Sequence, residues 1–143
     1  MGLVPFRGFE IHDSASRVRD VMPAWKPGKL EKQCDYVKSL ENFLKKELDG
    51  PAVYSEKNLG DFVADLVIAE EVVIKIQQGL TTAVQLKTIQ DYIKNFKYWK
   101  GVMLIILVDS VDDAYLEKLD DEINQINNDL EFTSNQAIVV MRR

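Results

Sequence analysis

Apolar residues recur along this chain in two rhythms. In "KLEKQCDYVKSLENFLKKELDG" (29–50), Leu30, Cys34, Val37, Leu44 and Leu48 fall on one stripe at about 100° per residue. That spacing predicts a helix with one buried face, and Cys34 is read as part of its core. Glu41 projects into the middle of the same stripe. An acid there is costly unless it is paired or faces a cleft. "GLTTAVQLKTIQDYIKNFKYWKG" repeats the period through Leu86, Ile89, Ile93 and Phe96, predicting a helix over 82–98. A third helix is predicted from residue 111 to 127, with Ala114, Leu116, Leu119, Ile123 and Ile126 on its apolar side.

Between the helices the pattern tightens to strands. "AVYSEK" (52–57), "DFVADLVI" (61–68) and "EVVIKIQ" (71–77) carry β-branched and aromatic residues. Only Ala69 and Glu70 separate the last two, so they should be antiparallel neighbours. "GVMLIILVD" (101–109) is apolar without interruption, as in a strand buried on both faces of a parallel sheet. "NQAIVVMRR" closes the chain as a last strand. The order α-β-β-β-α-β-α-β predicts an α/β fold, a mixed central sheet flanked by helices on both faces. Residues 29–143 are read as a single domain. Residues 1–28 are read as an N-terminal extension with a short strand in "LVPFRGFEIHD" or a short helix capped by Asp13 or Ser14 and ended by Pro23.

Composition narrows the chemistry. With 143 residues, 46% hydrophobic and 29% charged, the chain has the makings of a packed core. One cysteine excludes an internal disulfide, and one histidine, His12, excludes a Cys/His zinc site. The start "MGLVPFRGFE" reads as neither a secretory signal nor a myristoylation site, and "VMLIILV" is too short to span a bilayer. A soluble cytoplasmic protein with no membrane partner is expected. The net charge of −5 disfavours non-specific coating by nucleic acid. Contact with nucleic acid would need a local basic face, and Lys87, Lys94, Lys97 and Lys100, beside Tyr92 and Trp99, are the candidate. The competing reading is a solvated helix face whose aromatics pack on the sheet. The acids Asp112, Asp113, Asp120 and Asp121 read as solvated helix surface.

The element order, with the aspartate of "VADLVI" in the second strand and "VVIKIQ" in the third, resembles the PD-(D/E)XK nuclease superfamily, the restriction-endonuclease-like fold. The resemblance spans residues 29–109. It implies Asp65 as a metal ligand, with an acid and then a lysine following on the next strand. Mg²⁺ takes hard oxygen ligands, and two acids converging across a hairpin supply them. Here Lys75 stands ten residues on, where the resemblance implies the acid, and Gln77 stands where it implies the lysine. A lysine ammonium opposite Asp65 would repel a metal ion and satisfy the carboxylate by itself. Asp65, Lys75, Gln77 and Glu41 are therefore read as a degenerate centre.

That reading makes the chain a nuclease-fold protein without hydrolytic activity and without a cofactor, serving as a nucleic-acid-associated or protein-binding module, with a homodimer among the expected assemblies. An alternative is an active Mg²⁺- or Mn²⁺-dependent nuclease in which Asp65 binds the metal and Glu41, Glu71 or Lys87 supplies the missing groups. Glu71 and Lys75 share a strand face but lie about 13 Å apart along it. A further alternative is a purely protein-interaction domain.

Overall fold

The computed structural model describes residues 13–48, 53–58, 63–96, 101–130 and 137–143. In chain order the elements are α1 (Asp13–Val21), a 3₁₀ turn (Met22–Ala24), α2 (Gln33–Glu47), β1 (Val53–Asn58), β2 (Val63–Ile68), β3 (Val72–Leu80), α3 (Ala83–Phe96), β4 (Val102–Val111), α4 (Asp113–Leu130) and β5 (Ala137–Arg142). The strands form one sheet in the order β1-β2-β3-β4-β5. β1, β2 and β3 pair antiparallel, whereas β3, β4 and β5 pair parallel. The mixed, helix-flanked α/β sheet expected from the hydrophobic pattern is what the chain forms.

Strand alternation divides the core into two layers. Leu66, Ile68, Ile74, Ile76, Leu104 and Ile106 face α1, the 3₁₀ turn and α2, which contribute Val18, Met22, Trp25, Tyr36, Leu40 and Leu44. Val67, Val73, Met103, Ile105 and Leu107 face α3 and α4, met by Leu86, Ile89, Ile93, Leu119 and Ile123. β4 is apolar on both sides because helices cover it on both sides, which explains its uninterrupted run.

Several details depart from expectation. Cys34 is exposed, not core. The buried stripe of α2 runs through Tyr36, Leu40 and Leu44, with Leu48 following the helix. Tyr36 is favoured because its ring packs inward while its hydroxyl accepts the Leu30 amide at 2.8 Å. β3 is longer than "EVVIKIQ", continuing to Leu80 through Gly79, whose φ of +90° accompanies a register shift against β4. His12 lies outside the described residues.

Local chemistry fixes the element ends. Ala69 and Glu70 have φ of +52° and +59°, and the Glu71 amide donates to the Ile68 carbonyl at 2.9 Å. Positive φ at both central residues is what a tight two-residue hairpin demands. α3 starts with a reciprocal cap. The Gln85 amide donates to Thr82 Oγ1 at 3.2 Å, and Gln85 Oε1 accepts the Thr82 amide at 3.2 Å. Asp112 caps α4, its Oδ1 accepting the Ala114 amide at 2.9 Å. No helix among the described residues is long and apolar enough to cross a membrane.

Candidate functional site

The tight turn at Ala69–Glu70 sets the hairpin register, pairing Ile68 with Val72, Val67 with Val73 and Leu66 with Ile74. Continued by one step, the register puts Asp65 opposite Lys75. Lys75 Nζ lies 3.3 Å from Asp65 Oδ2, and the same oxygen accepts the Ile76 amide at 2.8 Å. The carboxylate thus stands in for a strand partner at Ile76 while it neutralises the lysine. Tyr92 of α3 covers the ammonium, its ring centroid 4.4 Å from Nζ. A cation against an aromatic face with water largely excluded is held more firmly than the same contact in water.

Burial gives this pair its weight. Lys75 is 6% exposed, and the Asp65 side chain 18%. An ammonium removed from water to that degree is tolerated only with a counter-charge and further contacts in place. Asp65 and Tyr92 provide them.

The other expected site residues lie apart from the pair. Gln77 is buried on the same face of β3, but its amide nitrogen donates to the Gly79 carbonyl at 3.2 Å, back onto its own strand. Glu41 belongs to α2, whose buried stripe packs against the opposite face of the sheet. Its Oε2 is 2.8 Å from Lys45 Nζ, one helical turn on. Helical spacing put Glu41 in the apolar stripe, but the stripe runs through Tyr36, Leu40 and Leu44, so Glu41 sits at its margin. Glu71 stands at the hairpin turn, where its carbonyl accepts the Val102 amide. Lys87 is exposed and lies 3.5 Å from Asp91 on α3. Lys94 is exposed, and Lys97, Trp99 and Lys100 lie outside the described residues. Gln90, which also projects from α3, donates to Glu122 Oε1 of α4 at 2.9 Å.

Of the two readings of Tyr92 in the sequence, a stacking face or packing on the sheet, the structure shows the second, but neither reading places the ring over Lys75. The signal was present. Tyr92 is three residues beyond Ile89 and next to Ile93, so it lies at the edge of the stripe that faces the sheet.

Chemically, the hairpin presents one carboxylate, already bonded to two donors, and one sheltered ammonium. Among the described residues no three His, Cys, Asp or Glu side chains come together as a metal-binding group. No protein-family model, curated protein or solved structure matches this chain.

Proposed function

We propose that this chain is a restriction-endonuclease-like scaffold whose metal position is taken by the Lys75 ammonium, and that it works as a non-hydrolytic, protein-binding module. The observation that carries this reading is the double engagement of Asp65 Oδ2 by Lys75 Nζ and the Ile76 amide. A divalent ion approaching the same oxygen would meet a fixed positive charge. At 4 Å and surface-like screening that repulsion is roughly 4 kcal/mol per unit of charge. Gln77, standing where the resemblance implies a lysine, offers a neutral amide already bonded to Gly79, with no cation to stabilise a phosphorane-like transition state.

A protein partner is favoured over nucleic acid by the charge on the α3–α4 side. Lys87 is paired with Asp91, and Asp112, Asp113, Glu117, Asp120 and Asp121 are exposed along α4 and its cap. Such a surface repels a phosphate backbone.

The test is degradation of single- and double-stranded DNA and RNA with Mn²⁺, comparing wild type with Asp65→Ala. No cleavage by either protein is expected. Cleavage by the wild type that disappears in Asp65→Ala would overturn the reading and return attention to Glu41, Glu71 and Lys87. Salt-dependent DNA binding that weakens in Lys87→Ala/Lys94→Ala would move the partner from protein to nucleic acid.

A further inference from the structure

β5 is the last strand of the sheet, and among the described residues no strand lies beyond it. The Arg143 amide donates to Leu107 on β4, so the odd-numbered residues of this segment turn their backbone groups inward. Ile138, Val140 and Arg142 therefore turn theirs outward. At Ile138 the Asn127 side chain closes the edge: its Nδ2 donates to the Ile138 carbonyl at 2.8 Å and its Oδ1 accepts the Ile138 amide at 2.9 Å. One side-chain amide thus imitates a neighbouring strand for a single residue. Among the described residues, no strand pairs with the outward backbone groups of Val140 and Arg142, which form an edge template.

The flank of this template is apolar. Val139 is 43% exposed. It opens onto a depression lined by Val18, Val102, Leu104 and Met141, with Arg19 alongside. Among the described residues, α2 meets this face of the sheet chiefly over β1 to β3, and beside the depression Val18 and Arg19 of α1 are the helical residues that line it. Edge strands are commonly defended by an inward lysine, a proline or a bulge. β5 has none of these, and its one charge, Arg142, lies 3.6 Å from Asp113 of its own chain.

We infer that β5 is a self-association edge, on which β5 of a second copy pairs antiparallel across a two-fold axis to make one continuous sheet. An outward backbone requires an extended chain as occupant, and the rest of the pattern selects β5 itself. Because Asn127 occupies Ile138, a partner strand opposite Ile138 is excluded. That removes the register in which Val140 faces Val140. The register that uses both outward residues sets Val140 against Arg142 of the other copy, with Met141 against Met141 at the axis. Both outward amides and carbonyls are then bonded in each chain. Val139 and Met141 close over the apolar depression. The two arginines sit diagonally, each 3.6 Å from Asp113 of its own chain, so the edge meets its copy without like charges directly opposed.

A second copy gives the protein-binding module a definite partner, and in that respect the inference rests on the proposed function. The two fail separately, since cleavage reads the hairpin and self-association reads β5. Sedimentation velocity of the full chain over a concentration series reads the latter. The wild type should pass from monomer to dimer with rising concentration. Val140→Pro removes an outward amide at a position where an edge strand accepts proline, and trims a side chain that is only partly buried against the second core layer. Val139→Lys places a charge beside the pairing edge. Each should raise the dimer dissociation constant by about tenfold or more while the far-ultraviolet circular dichroism stays that of the wild type. A wild type that remains monomeric up to about 200 µM, a weak limit for a specific interface, overturns the inference. So does a dimer that neither substitution weakens.

Discussion

Lys75 is held by one carboxylate oxygen and one aromatic ring, and each is a separate lever on stability. Replacing Asp65 by alanine removes the counter-charge and the acceptor of the Ile76 amide together. That should cost about 3–5 kcal/mol in urea unfolding. Lys75→Met leaves Asp65 bonded to Ile76 but without its cation, and should cost less because the carboxylate retains more contact with water. The double variant should be more stable than the sum of the two losses by about 1–3 kcal/mol, the signature of a coupled pair. Additive losses would mean that the two charges act independently. Tyr92→Leu keeps an apolar cover and removes the ring face, with an expected loss of about 1 kcal/mol.

Elements of this fold are decided at their ends, and there the sequence was only partly legible. The β2–β3 hairpin could be read in register because two residues separate two strongly apolar strands, and that register alone puts Asp65 across from Lys75. The turn itself was opaque: Ala69 and Glu70 are not the Asn-Gly pair that positive φ favours, and tertiary packing of the strands overrides the local preference. Glu70→Gly should therefore stabilise the protein by about 0.5–1 kcal/mol, measured as a rise in melting temperature, by relieving left-handed strain. The start of α3 carries a signal that apolar spacing does not use: "TTAVQ" has the Thr-x-x-Gln spacing of a reciprocal cap. Thr82→Ala should cost about 1 kcal/mol. The buried stripe of α2 was misread because two stripes fit its spacing. Choosing Tyr36 over Cys34 depends on the hydroxyl reaching the Leu30 amide, a contact that periodicity does not contain. The periodicity ends β3 at Gln77 because Gln78 and Gly79 look like a loop in one dimension, although the strand continues through them to Leu80.

At the scale of the whole molecule, Arg143 fastens the 3₁₀ turn that follows α1 to the sheet. The Arg143 guanidinium donates to the Pro23 carbonyl at 2.8 Å and to the Trp25 carbonyl at 3.1 Å, while its backbone amide joins β4. Trp25 in turn donates to Ser39 Oγ of α2 at 3.2 Å. This chain of contacts links α1, α2 and the parallel half of the sheet. Arg143→Ala should release it locally, raising amide hydrogen exchange across residues 13–25 while β3 and β4 stay protected, at a global cost of about 1–2 kcal/mol. Uniformly faster exchange over all strands would show that Arg143 supports the fold as a whole.

The Asp65–Lys75 pair also constrains how this sequence can change over generations. Whichever of the two alters first strands the other in a place with little water, so most single steps at either position are penalised before the compensating step can arrive. Drift is left with narrow routes, through neutral side chains of similar bulk or through both positions in quick succession. A library randomised at both sites should accordingly return pairs of residues that work only together, with few replacements at one site accepted regardless of the other.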